Sequence, residues 1–224
     1  MRTKEGDGPI TLSVLRGGES LEIPVIRREI TVKTVTTEIL EDIAYIRIRS
    51  FDAPTAGEMA EAIEMAEKQN VRGLIIDVRN NPGGYLDSVT SIADMLLPRC
   101  TVVYTKDKNG EQQFIYESDA DCTPLPIVLL INENSASASE VLAGALKDNN
   151  RAKLVGTKTF GKGSVQSIFE LCRGGAKITV ANFYTAGGYR IDANGIEPTH
   201  PVENTDPAVD AQLATAIALF DSMQ

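Results

Sequence analysis

The 224-residue chain predicts an α/β fold. Three observations carry that prediction. Short apolar runs bounded by turn residues, GLIIDV at 73–78 and IVLLIN at 127–132, read as strands buried on both faces. Each is followed by a segment whose apolar residues recur at helical period. Elsewhere, stretches such as IAYIRIR at 43–49 alternate and read as half-buried strands.

Taken in order, TLSVL at 11–15 and LEIPVI at 21–26 predict two strands around the turn Arg16-Gly17-Gly18-Glu19. Two strands cannot bury a core alone. Residues 31–36 and 43–49 alternate and predict a second strand pair. Thr55 with Glu58 predicts a capping box, opening a helix whose Met59, Ile63 and Ala66 share a face. The strand at 73–78 runs into Asn80-Asn81-Pro82-Gly83-Gly84, and a helix carrying Leu86, Val89, Ala93 and Leu96 then stops at Pro98. Asn109-Gly110 predicts a hairpin between strands at 101–105 and 113–117. The strand at 127–132 leads through Glu133–Ser139 into a helix with Val141, Leu142, Ala145 and Leu146. Strands follow near 153–156, 164–170 and 176–184. A loop at Glu197–Pro201 holds His200, and an amphipathic helix (Val209, Leu213, Ile217, Phe220) closes the chain.

Composition narrows the function. Hydrophobic residues make up 42% and charged residues 24%, which argues against wholesale disorder. A net charge of −9 disfavours nucleic acid and anionic membranes as main partners, because both need clustered Lys and Arg. No apolar run approaches the roughly 20 residues of a transmembrane helix, and the first 30 residues hold no signal-peptide core. Cys100, Cys122 and Cys172 form no CxxC pair, so no metal or cofactor is expected. Three buried thiols are the expectation; in an oxidising compartment Cys100 and Cys122 are the pair best placed to bond, since they flank the hairpin.

Three segments can carry chemistry. At 127–146 a strand, a turn of small and hydroxyl residues, and a helix follow one another. A serine at a helix start sits beside unpaired N–H groups, which stabilise a developing oxyanion. Plain capping accounts for such serines equally well. At 80–84 the paired glycines let backbone amides approach a ligand, or merely make a tight connection. GTKTFGKGSVQ at 156–166 resembles a phosphate loop, but Gly163 stands where a Ser or Thr hydroxyl is required, and the β-branched residues after it offer no helix N-terminus. Lys162 has another use, as base to a serine. A lysine amine titrates near ~10.4 in water, so a lysine base must be kept uncharged by burial.

Together these segments resemble the C-terminal processing peptidases, or tail-specific proteases, a family of Ser-Lys endopeptidases. The matching blocks are GLIIDVRNNPGG at 73–84, INENSASASEVLAGALKD at 131–148, VGTKTFGKGSVQ at 155–166 and GIEPTHPV at 195–202. The likeness covers roughly residues 31–222, while TAGGYRID at 185–192 departs from the family's usual TPSGRSIQ. The resemblance implies that Ser137 is the nucleophile, Lys162 its base and Gln166 the residue that orients the lysine. It implies an oxyanion hole built from the N–H of Ala138 and of Gly83 or Gly84. It further implies a Clp protease/crotonase-like superhelix of β-β-α units over 31–224. Residues 1–30 are then the C-terminal remnant of a PDZ domain. Protein or peptide substrates with apolar C-terminal tails and an extracytoplasmic location are also implied; a homo-oligomer stays open. Two other readings compete: a silent peptide-binding scaffold of the same fold, and a crotonase-like acyl-CoA site, which gives Ser137 and Lys162 no joint role.

Overall fold

A computed structural model describes residues 8–26, 32–119 and 121–222. The chain divides into two units, Met1–Val32 and Lys33–Gln224. In the first, β1 (Ile10–Arg16) and β2 (Glu19–Val25) form an antiparallel ribbon. Its register pairs Ile10 with Val25, Leu12 with Ile23 and Val14 with Leu21, which gathers six apolar side chains on one face.

The second unit is built on a six-stranded sheet ordered β12-β9-β8-β5-β4-β3. These strands are β3 (Val35–Leu40), β4 (Ile43–Ile48), β5 (Gly73–Asp77), β8 (Ile127–Ile131), β9 (Ala152–Gly156) and β12 (His200–Pro201). All neighbours run parallel except β3 and β4. Every residue of β5 and β8 is buried. Alternate residues feed two cores. Leu74, Ile76, Leu129 and Ile131 meet α1 (Thr55–Lys68), α2 (Leu86–Leu96) and α3 (Ala138–Asp148) through Met59, Ile92 and Leu142. On the other face Ile75, Val128 and Val155 meet Ala216 and Phe220 of α4 (Ala211–Asp221). Gly73 makes room for that helix: a Cβ there would lie 2.1 Å from the Phe220 ring. A four-stranded antiparallel sheet, β10-β11-β6-β7, uses β6 (Thr101–Asp107), β7 (Gln112–Glu117), β10 (Ser164–Glu170) and β11 (Gly175–Thr185).

Several expectations shift. The strand predicted at 31–36 lies at Val35–Leu40; residue 31 is outside the described residues. Thr55 is the first helical residue, not a cap, and Glu58 does not close a capping box. Its carboxylate instead accepts the N–H groups of Thr34 and Val35 and the Thr34 hydroxyl, at 2.8–2.9 Å, and so ties α1 to the start of β3. His200 lies in a short strand rather than a loop. Val209 precedes α4 and is exposed. The three cysteines are free thiols and none is buried: Cys100 and Cys122 are half-buried and Cys172 is exposed.

This topology sets the site. β5, β8 and β9 are adjacent and parallel, so the loops that follow them, 78–85, 132–137 and 157–163, emerge side by side at one edge of the sheet. Open α/β sheets place their crevices at such carboxyl ends.

Candidate active site

The three loops are stitched together by their own polar groups. Ala136 N–H donates to Asn81 O at 3.0 Å, and Phe160 N–H donates to Ser135 O at 3.0 Å. Asn81 is fully buried; its Nδ2 holds Ile48 O and its Oδ1 accepts Gly83 N–H at 2.9 Å.

The alternating serines of the turn have different fates. Ser135 Oγ donates to Val78 O at 2.8 Å, and Ser139 Oγ donates to Asn81 O at 2.9 Å. Ser137, half-buried, is the N-cap of α3 and forms a capping box with Glu140, whose carboxylate accepts the Ser137 N–H. Its backbone is at φ 56°, ψ −113°, a region that L-residues avoid and that costs about 1–3 kcal/mol. Ser135 and Ser139 therefore tie the turn to the 78–85 loop, while Ser137 alone stands at the cap position. A strained, strand-to-helix serine beside free helix-start amides is the arrangement of a nucleophile elbow.

The residue that organises the site was not singled out from the sequence. Glu140 is fully buried. Its Oε2 accepts Ser137 N–H and Lys162 N–H, each at 2.8 Å. Its Oε1 accepts Gly161 N–H at 2.6 Å and the Thr159 hydroxyl at 2.7 Å. Two amides on one oxygen can be no farther apart than twice 2.8 Å, so a single carboxylate holds the Ser137 turn against the Lys162 loop. The sequence did carry a signal: Ser137-Ala138-Ser139-Glu140 has capping-box spacing.

Lys162 is exposed, which corrects the expectation of a dry environment: a loop of small residues at the sheet edge cannot wrap a four-carbon side chain. Its Nζ makes no hydrogen bond with Ser137 or Gln166. Gln166 is also exposed, next to a register shift between Val165 and Gln166 where β10 bulges against β11. The two glycines of the turn separate clearly. A Cβ on Gly83 would lie 2.8 Å from Ser137 Cβ and 2.9 Å from Ala138 N, whereas one on Gly84 would lie 2.1 Å from Phe51 O. Both hold positive φ, 102° and 152°. Asn80, Pro82, Asn134, Ala136, Phe160 and Lys162 line a cavity of about 430 Å³.

Behind the turn lies a second, partly buried network that sequence reading missed. Arg79 makes hydrogen bonds of 2.8–3.1 Å to Asp77 and 2.8–2.9 Å to Asp210 at the start of α4, and Tyr45 donates to Asp77 at 2.6 Å. Burial depresses the Arg79 pKa, but the two carboxylates outweigh it and raise it overall. Burial and the Asp77 charge push the Tyr45 hydroxyl up to about 12. Burial raises the Asp210 carboxyl, but hydrogen bonds and charge from Arg79 outweigh it and hold it at about 2. The signal was a charged residue inside the apolar run GLIIDV. Among the described residues no group of His, Cys, Asp and Glu is arranged to hold a metal, and no helix is long and apolar enough to cross a membrane.

A strained serine at a helix start, joined through one carboxylate to a lysine loop and faced by a glycine turn, is thus assembled at one edge of the α/β scaffold. The chain belongs to peptidase family S41, whose model matches residues 42–202. It is 39% identical to the carboxyl-terminal-processing protease of Synechocystis sp. over 94% of this chain and 53% of that protein. It is likewise 39% identical to the carboxy-terminal-processing protease of Bartonella bacilliformis, over 89% of this chain and 48% of the relative. Among solved structures it superposes on the photosystem II D1 C-terminal processing protease with a TM-score of 0.73, at 31% identity over 88% of this chain and 56% of the other. The fold is thus the Clp/crotonase-like α/β architecture of the S41 proteases. The chain spans about half the length of the curated relatives it matches.

Proposed function

We propose that the chain is a serine endopeptidase in which Ser137 and Lys162 form the reacting pair. The observation that carries this reading is the Glu140 carboxylate, which binds the backbone amides of both residues through one oxygen. An uncharged Lys162 amine takes the Ser137 hydroxyl proton as Oγ attacks the peptide carbonyl. Lys162 then gives that proton to the leaving amine, and water cleaves the acyl-enzyme by the same route. Gln166 orients the lysine. Ala138 N–H, at the first turn of α3, is one oxyanion donor. We assign the second to Gly84, since Gly83 N–H is spent on Asn81. Gly83 O and Tyr85 N–H bond to Phe51, so the intervening Gly84 N–H faces away from Phe51. Peptide lying in the cavity strips water from the exposed amine and supplies the desolvation that a lysine base needs.

The cavity's Pro82, Ala136 and Phe160 favour apolar substrate residues, in keeping with proteins that present apolar C-terminal tails. The ribbon at 10–25 is read as the last strands of a PDZ domain, and the location as extracytoplasmic. Ser137→Ala and Lys162→Ala should each abolish cleavage of an unfolded protein while leaving the melting transition in place. Full activity in either purified variant overturns the assignment, and would leave the peptide-binding scaffold as the better reading.

A further inference from the structure

Asn80 and Asn134 line the cavity, Asn132 bonds to both, and two backbone amides fix how all three are turned. Asn132 Oδ1 accepts Asn80 N–H at 2.9 Å and Asn134 N–H at 3.2 Å, which only the oxygen of that side chain can do. Asn132 Nδ2 must therefore donate, and it does so to Asn80 Oδ1 at 3.0 Å. The same Asn80 oxygen receives Asn134 Nδ2 at 2.9 Å. The chain of bonds leaves two groups over. Asn80 Nδ2, a donor, and Asn134 Oδ1, an acceptor, have no partner among the described residues, and both side chains are exposed on the cavity that Lys162 also lines. Asn80 is held at φ 60°, a conformation that asparagine tolerates better than other non-glycine residues.

A donor beside an acceptor is what an extended peptide matches, because the N–H and C=O of one strand residue point to the same side. We propose that Asn80 and Asn134 clamp the substrate main chain next to the scissile bond, with Asn80 Nδ2 donating to a substrate carbonyl and Asn134 Oδ1 accepting a substrate N–H. Such a clamp positions any extended peptide and leaves side-chain choice to the apolar wall of Pro82 and Phe160. The inference rests on the reading of Ser137 and Lys162 as the reacting pair.

The test uses the full chain carrying Ser137→Ala, an uncleaving trap, with and without Asn134→Ala. Fluorescent peptides are compared with depsipeptides in which one backbone N–H at a time, near the cleavage point, is replaced by an ester oxygen. Asn134→Ala should weaken peptide binding about tenfold, the worth of one partly buried hydrogen bond. One ester position should weaken the Ser137→Ala parent equally and cost nothing further in the Asn134→Ala background. Asn80→Asp keeps the two bonds that Asn80 Oδ1 accepts, replaces the free donor by an acceptor and adds a negative charge; it too should weaken every peptide at least fivefold with its melting temperature retained. Affinities within twofold of the parent in both variants, or ester penalties that add in full at every position, overturn the clamp. Hydrolysis by the unmodified chain is measured alongside. Coupled binding without hydrolysis strikes the protease reading and spares the clamp, whereas hydrolysis without coupling does the reverse.

Discussion

Replacing Glu140 by Gln changes one atom at the point where two loops meet. The carboxylate receives four hydrogen bonds, two on each oxygen. Glutamine keeps one acceptor oxygen and turns the other into a donor. If its nitrogen faces Ser137 and Lys162, two buried N–H groups lose their acceptor. If it faces Thr159 and Gly161, only Gly161 N–H is stranded, because the Thr159 hydroxyl can rotate and accept. The second orientation wins, and a buried unpaired donor costs about 1–3 kcal/mol. The surviving bonds also lose the charge that made them stronger, roughly a further 1 kcal/mol. The sum, about 2–4 kcal/mol, lowers the melting temperature of a chain this size by about 5–15 °C. Activity should fall further than stability accounts for. The Ser137 turn and the Lys162 loop share this anchor, and a displacement near ~1 Å can cost about a hundredfold in rate. Circular dichroism melting and peptide hydrolysis on the same preparation read both effects. A Glu140→Gln protein that melts within 1 °C of the parent and keeps its kcat/KM would refute the reasoning.

Three further outcomes are expected. Ser137→Gly should melt higher than Ser137→Ala by about 1 kcal/mol, although both are inactive, because only glycine relieves the strain at φ 56° and its greater unfolded-state freedom offsets part of the gain; equal urea midpoints would show that the turn is unstrained. Gly83→Ala should eliminate hydrolysis by pushing a Cβ to within 2.8 Å of Ser137 Cβ, and Gly84→Ala should destabilise the fold itself, since its Cβ would lie 2.1 Å from a backbone oxygen. Normal peptide turnover in Gly83→Ala contradicts this. Asp210 has its folded pKa lowered to about 2 from an ordinary 3.8, so its ion pair stabilises the fold above pH 4 and is lost as pH falls through 2. The side chain is 38% exposed, so solvent screening reduces this contribution to about 1 kcal/mol. Urea midpoints from pH 2 to 5 should show a shallower acid limb in Asp210→Asn; an unchanged limb would mean the pair contributes nothing.

The buried strands were legible because their composition has only one use. GLIIDV and IVLLIN are too apolar to face water on either side, and the breakers around them leave no room for helices. The strand at 35–40 was misplaced because strand-forming Thr and Val residues run from 31 to 37 with no Gly or Pro to mark where pairing starts. Glu58 went astray for a different reason. Capping-box spacing states that the contact is available, and three donors at the start of β3 compete for the same carboxylate and win. At 137–140 the same spacing meets no such competitor at the serine end, and the Glu140 carboxylate does reach back to the Ser137 N–H.

Motif residues and the groups that hold them are visible to different degrees, and the difference has a physical cause. Ser137, Lys162 and Gly83 sit on loops at one edge of the sheet, with Ala138 opening the helix beside them, where turn chemistry makes unusual sequences. Glu140 and Asp77 act from inside regular elements, where the sequence around them is only helix or strand. Each also accepts hydrogen bonds from partners on another segment, so the local signals, a capping-box spacing and a charge in an apolar run, show only part of its role. Buried carboxylates of this kind are expensive to desolvate and persist only when several donors converge on them. Glu140 meets that condition with three backbone N–H groups and a hydroxyl, drawn from the Ser137 turn and the Lys162 loop. Fixing the backbone on both sides while leaving the Lys162 side chain exposed yields a site whose frame is preorganised before any peptide enters the cavity.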